Sequence, residues 1–128
     1  MSATIRLSPM NTPEFIDLPE ILSAHGNIRL PGSKSISNRI LLLAALAKGD
    51  TEIHGLLESD DTAYMRKALR QLGVEMTPLD NNVWRVQGIG GMFPVGKAEL
   101  FLGNAGTALR SLCAVLALGD GEREYQLS

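Results

Sequence analysis

The spacing of apolar positions changes several times along the chain, and each change marks an element. The longest apolar run, Ile40 to Ala47, follows the polar run Ser33 to Arg39. Ser33 and Ser35 are both good N-cap residues, so a helix is predicted over 35–48, starting within a residue or two of Lys34, with Gly49 as its C′ stop. The second half of this helix is apolar on every side, which predicts burial rather than half exposure. Upstream, Ile28 and Leu30 alternate with polar residues over 26–30, the period of a strand, and Pro31-Gly32 ends it. Thr51 to His54 reads as a short strand.

Ser59-Asp60-Asp61 precedes a helical segment, Thr62 to Leu72, closed by Gly73. Adjacent carboxylates suit metal binding or acid–base work, but Asp before a helix caps it and favours its dipole, and the cap is the reading adopted. Tyr64, Leu69 and Leu72 fall near one face; Arg66, Lys67 and Arg70 lie elsewhere and read as a solvated face. Val74 to Thr77 and Val83 to Gln87 form a predicted hairpin around Asp80-Asn81-Asn82, with Trp84 as a packing or rim residue. Residues 88–96 hold four glycines and Pro94 and read as a loop. No capped helix start follows Gly88-x-Gly90-Gly91, so a dinucleotide loop is a poor reading. Glu99 to Leu102 is a predicted strand. Gly103 to Thr107 turns into a helix running to about Leu118, stopped by Gly119-Asp120-Gly121, and Arg123 to Leu127 alternates as a last strand. Met1 to Pro13 reads as a loose leader with a short alternation at Ile5 and Leu7, and Phe15 to Leu22 as a mixed segment broken by Pro19. A pattern of strand, glycine turn, short polar residues, arginine, apolar helix, glycine stop and strand occurs twice. Gly32 corresponds to Gly103, Ser33 to Asn104, Ser35 to Gly106 and Arg39 to Arg110, a loosely repeated β–α unit.

Bulk properties narrow the classes. The 128 residues are one small domain by length, with 45% hydrophobic and 20% charged residues. A net charge of −2 gives no electrostatic case for nucleic acid or an anionic membrane. The lone cysteine, Cys113, excludes an internal disulfide framework and reads as a small core hydrophobe. No signal-like start and no apolar run near the ~20 residues of a membrane span are present, so a cytoplasmic location is expected. His25 and His54 receive no role.

Two stretches carry chemistry. Leu30 to Arg39 leads into a helix start, where free backbone N–H groups and the positive end of the dipole make an anion site. Lys34, the serine hydroxyls and Arg39 suit a phosphorylated or carboxylated small molecule. The bland alternative is a helix cap with a solvated lysine. A nucleotide P-loop does not fit, because Ser33 stands before Lys34 where that motif needs glycine. In Leu102 to Arg110, Gly103 and Gly106 permit close approach of backbone to a ligand, and Asn104 and Thr107 add short hydrogen-bonding groups. Here the alternative is a cap with no ligand, and Arg110 also suits a structural ion pair.

Pro31-Gly32-Ser33-Lys34-Ser35-Ile36-Ser37-Asn38-Arg39 closely resembles the N-terminal signature of the 5-enolpyruvylshikimate-3-phosphate synthases, or 3-phosphoshikimate 1-carboxyvinyltransferases. Leu102-Gly103-Asn104-Ala105-Gly106-Thr107-Ala108-Leu109-Arg110 resembles the same family's second signature, in the family's order and at a similar separation. The resemblance runs from about Asn27 to the end of the chain. It implies an α/β (α+β) chain of repeated β–α units belonging to the inside-out α/β barrel of enolpyruvyl transferases, incomplete here. Residues 1–26 are then an N-terminal leader and strand region, and 27–128 a partial enolpyruvyl transferase domain with one repeat and the start of the next.

The implied activity is transfer of the enolpyruvyl group of phosphoenolpyruvate to the 5-hydroxyl of shikimate 3-phosphate, with release of phosphate, in the shikimate pathway to chorismate and aromatic amino acids. The resemblance places Lys34, Ser35 and Arg39 at shikimate 3-phosphate. Lys34, as the catalytic residue, also reaches phosphoenolpyruvate, which Gly106 contacts through its backbone N–H with Asn104 and Thr107 nearby. It implies no metal or organic cofactor, no nucleic-acid or membrane partner, and a monomeric full-length enzyme. Whole members are longer, so the chain reads as a fragment expected to lack turnover by itself and to self-associate through half-finished repeats. One departure is Ser111, where many relatives carry proline, which implies a slightly altered phosphoenolpyruvate site and weaker binding of the inhibitor glyphosate. The nearest rival is the sister transferase acting on UDP-N-acetylglucosamine, whose first motif has Lys-Asn where this chain has Lys34-Ser35. A non-catalytic anion-binding module is the rival from another class.

Overall fold

The computed structural model describes residues 20, 22–80 and 82–128. The predicted loose leader, Met1 to Pro13, lies outside them, as does most of the mixed segment Phe15 to Leu22. In chain order the elements are α1 (Lys34–Leu46), β1 (Lys48–His54), α2 (Asp60–Gln71), β2 (Met76–Asp80), β3 (Val83–Ile89), β4 (Lys97–Leu100), α3 (Gly106–Leu116) and β5 (Glu124–Leu127). β1, β3 and β2 form an antiparallel sheet in that order, with Val86 paired to Thr51 on one side and Met76 on the other. β4 and β5 pair in parallel, with α3 as the crossover between them. α1 packs against α2, α3 and β3, so it is the hub between the two strand layers.

The core follows these contacts. Leu41 and Ala45 of α1, Met65 and Leu69 of α2, Val86 of β3, and Ala108 and Leu112 of α3 are buried together. Each fully buried leucine side chain contributes about 1.5–3 kcal/mol. The predicted hairpin is present, with Asn82 in the left-handed region at φ 58° and a register shift between Pro78 and Asp80. Of the predicted repeat, only the turn–helix–strand part occurs twice, as α1–β1 and α3–β5; among the described residues the first unit lacks both the leading strand and the glycine stop.

Several expectations need correction. Residues 26–30 form no strand among the described residues, and Ile28 and Leu30 are exposed, since alternation makes a strand only where a neighbouring ladder exists. Gly49 does not stop α1. The helix ends at Ala47, whose extended backbone feeds β1 directly and whose carbonyl accepts the Gly90 N–H at 2.8 Å. The burial expected all round α1 is also one-sided. Leu41, Leu42, Ala44 and Ala45 are inside, but Ile36 and Leu43 are 61% and 62% exposed, because the neighbouring elements cover one face only. Cys113 is exposed rather than core. α3 buries Ala108, Leu112 and Leu116, four residues apart, and Cys113 stands about 100° round the helix from that stripe. Arg66 is buried, not solvated.

Candidate active site

The three helices begin in two different ways. α2 starts with a complete capping box: Ser59 accepts the Thr62 N–H, and the Thr62 side chain accepts the Ser59 N–H. Asp60 and Asp61 in its first turn complement the dipole. α1 and α3 have neither feature. Ser33 occupies the N-cap of α1 but makes no side-chain cap bond, and Ala105 at the N-cap of α3 has no side chain to make one. Neither helix carries an acid in its first turn. The cap expected of Ser33 is therefore a matter of position only, and no side-chain cap takes up the orphan N–H groups of either helix start.

The fold brings these two open starts together. Ser35 Oγ in the first turn of α1 lies 3.5 Å from Thr107 Oγ1 in the first turn of α3. Both residues are half-buried. Beside them, Lys34 Nζ stands 3.1 Å from Asp61 Oδ2, across the gap between α1 and α2. Arg39 is exposed and leans back along α1, its Nη1 donating to the Ser35 carbonyl at 3.5 Å. Asn104 is exposed and half of the turn before α3; its carbonyl accepts the Gly106 N–H at 2.8 Å, so that N–H is engaged within the turn. A Cβ at Gly106 would sit 3.7 Å from Arg110 Nη2, which places Arg110 beside the same turn. Gly103 adopts φ 52°, with the Tyr64 ring packed against it, a conformation that favours glycine.

The residues predicted for the two blocks thus divide. Lys34, Ser35, Thr107 and Gly106 surround the paired helix starts, whereas Arg39 and Asn104 are on the rim facing solvent. Three participants were given no site role by the sequence. Asp61, read as a cap, also holds Lys34. Ser37 is buried and its hydroxyl accepts the Leu57 N–H at 3.1 Å. Asn38 is fully buried, and neither polar atom of its amide has a partner among the described residues. Local pattern held no signal for the first two contacts, because each joins separate elements. Ser111, in the position noted above, donates from its hydroxyl to the carbonyls of Thr107 at 2.8 Å and Ala108 at 3.2 Å.

A second cluster stands behind α2. Arg66 donates to both oxygens of Glu58 at 2.9 Å, and Trp84 Nε1 donates to the same carboxylate at 3.3 Å. The Arg66 guanidinium lies 4.2 Å from the centre of the Trp84 ring. The hydrogen bonds from Arg66 hold the Glu58 carboxyl below the usual carboxylate range, helped by the Arg66 charge and the Trp84 N–H and partly opposed by desolvation. This cluster is self-contained, which makes it a brace rather than a site.

Two uncapped helix starts thus meet beside a lysine and two hydroxyls, on repeated turn–helix–strand units of an α/β chain. The profile of the family described as EPSP synthase (3-phosphoshikimate 1-carboxyvinyltransferase) matches residues 20–128. The chain belongs to this EPSP synthase family. It is 61% identical over 109 residues to a 3-phosphoshikimate 1-carboxyvinyltransferase of Thiobacillus denitrificans, an alignment covering 85% of this chain and 26% of that protein. A namesake from Nitrosomonas europaea is 61% identical over 115 residues, covering 90% of this chain and 26% of the relative. Among solved structures, the EPSP synthase from Acinetobacter baumannii superposes with a TM-score of 0.68 at 30% identity, over 80% of this chain and 24% of that one. The chain therefore spans about a quarter of the length of the curated relatives it matches.

Proposed function

We propose that this chain supplies part of the active site of a 3-phosphoshikimate 1-carboxyvinyltransferase, the enzyme that moves the enolpyruvyl group of phosphoenolpyruvate to the 5-hydroxyl of shikimate 3-phosphate and releases phosphate. The observation that carries the reading is the 3.5 Å approach of Ser35 Oγ to Thr107 Oγ1, which joins the two signature blocks at two open helix starts. Both substrates are polyanions, and the addition of an alcohol to an enol phosphate passes through a cationic carbon and a tetrahedral intermediate that expels phosphate. Preorganised N–H donors and a lysine suit the charge that this reaction gathers.

In this reading Lys34, Ser35 and Arg39 face shikimate 3-phosphate, and Lys34, Gly106, Asn104 and Thr107 face phosphoenolpyruvate. Gly106 acts through its open backbone and the neighbouring helix start, since its own N–H is engaged with Asn104. Residues 27–128 form part of one domain of the inside-out α/β barrel. The whole enzyme works as a cytoplasmic monomer in the shikimate pathway, without cofactor. No helix among the described residues is long and apolar enough to cross a membrane.

The test is an NMR titration of the 128-residue chain, first with shikimate 3-phosphate and then with phosphoenolpyruvate. The expected result is a set of amide shifts centred on Lys34, Ser35 and Arg39, then on 104–107. A folded spectrum with no shifts at these residues overturns the substrate assignment.

A further inference from the structure

The serines of the first block do different work. Ser35 is half-buried and faces Thr107, but Ser37 is only 6% exposed and its oxygen accepts the Leu57 N–H at 3.1 Å. That oxygen points into the protein, so Ser37 does not belong with the anion-facing hydroxyls. Its bond is one link of a closed ring. The Leu57 carbonyl accepts the Thr62 hydroxyl at 2.7 Å, and Thr62, fully buried, is part of the capping box that starts α2. Next to Thr62 is Asp61, and Asp61 Oδ2 returns to Lys34 Nζ at 3.1 Å. The backbone closes on the same connection at Gly32, where a Cβ would lie 2.5 Å from the Gly55 carbonyl oxygen and 3.0 Å from the Leu57 nitrogen. No room is left there for a side chain at residue 32.

We propose that Ser37 is a positioning residue: through Leu57 and Thr62 it fixes Asp61 against Lys34, and so fixes where the Lys34 ammonium is presented at the paired helix starts. An ammonium on four methylenes is flexible, and its side chain is 53% exposed here. A counter-ion on a helix start that the buried Thr62 hydroxyl anchors restricts it where a freely moving carboxylate would not. The consequence for catalysis rests on the reading of Lys34 as substrate-facing; the ring itself does not.

The experiment measures amine acylation of the whole 128-residue chain by an N-hydroxysuccinimide ester, site by site, by mass spectrometry, with Lys67 and Lys97 as internal references. Ser37→Ala is expected to raise the Lys34 rate relative to the references about twofold to threefold, the size of effect an exposed ion pair carries. Thr62→Val, which keeps the shape and removes the hydroxyl, is expected to do the same and covers the case in which Ser37→Ala does not fold. Thr62→Ser restores the hydroxyl and the original ratio. Val86→Ala, a core change in β3, lowers stability without moving the ratio. An unchanged Lys34 ratio in both Ser37→Ala and Thr62→Val, or an equal rise in Val86→Ala, overturns the proposal. A shikimate 3-phosphate titration of the same variants separates the two readings. If the unsubstituted chain does not bind, the substrate assignment fails, while the acylation ratios still decide the role of Ser37. Binding that weakens by a similar factor in Ser37→Ala supports both.

Discussion

Replacing Glu58 by glutamine isolates the worth of the brace behind α2. Arg66 gives two 2.9 Å hydrogen bonds to Glu58, and its own side chain is 11% exposed against 49% for Glu58. Breaking a fully buried pair by removing one partner costs about 3–5 kcal/mol, and an exposed pair is worth about 0–1 kcal/mol. Here the residue left behind is the buried one, but water reaches the site from the Glu58 side and glutamine still offers one oxygen. A loss of about 1–2 kcal/mol is expected, between those limits. Arg66→Met should cost less, because an apolar side chain keeps its packing on the Trp84 ring and leaves the charge in Glu58, which water can solvate. Urea unfolding followed by circular dichroism gives both numbers, and Trp84, the only tryptophan, gives an independent fluorescence signal from the cluster itself. The pH dependence fixes the cause. The Glu58 carboxyl is held below its ordinary range in the folded chain. Its stabilisation is therefore complete above the ordinary carboxylate range and is lost as pH falls through the lowered value. The stability difference between the parent and Glu58→Gln should be largest at neutral pH and shrink in acid. A difference below about 0.3 kcal/mol at neutral pH, against the range above, or one that does not change with pH, would refute the argument.

Two further outcomes follow from backbone geometry. Gly32→Ala places a Cβ within 2.5 Å of the Gly55 carbonyl, backbone against backbone, and should cost about 1–3 kcal/mol in urea unfolding while broadening the amide signals of 55–57; a fully wild-type midpoint would contradict the close approach. Ser111→Pro removes the N–H that a helix interior directs at the Thr107 carbonyl and sets a ring against it, so a loss approaching about 3 kcal/mol and shifted Thr107 and Ala108 amides are expected. Unchanged Thr107 and Ala108 signals would show that the α3 start does not depend on the residue at 111.

The parts of the fold legible in the sequence are those that depend on near neighbours. The capped start of α2, the hairpin around Asn82 and the helix after Gly103 are each set by residues a few positions apart, and each lies close to where periodicity put it. Two of the misses involve distant elements. Arg66 falls on the polar side of an isolated α2, yet Glu58 from the preceding turn and Trp84 from β3 make that side an interior. Alternation at 26–30 is a local fact, whereas a strand is a relation to a neighbour. For the site, the residue types of both blocks were readable, and so was the chemistry of an open helix start. That Ser35 and Thr107 meet, and that Asp61 leaves its role as cap to hold Lys34, follows from the way α1 packs between α2 and α3.

The contrast among the three helix starts explains why the same chain needs all of them. Each open helix start presents the equivalent of about half a positive charge, so α1 and α3 together supply about one, and Lys34 adds a full one. Left alone, that concentration of positive potential would repel itself and pull Lys34 away into water. Asp61 removes about one unit from the sum and ties the lysine down, and it can do so because the capping box of Ser59 and Thr62 already closes the α2 start without that carboxylate. On the proposed reading, a substrate phosphate would meet a net charge near +1 from these groups, rather than a looser +2. The acid that neutralises the resting site and the hydroxyls that close the α2 cap are thus parts of one arrangement, in which the closed helix makes the two open ones usable.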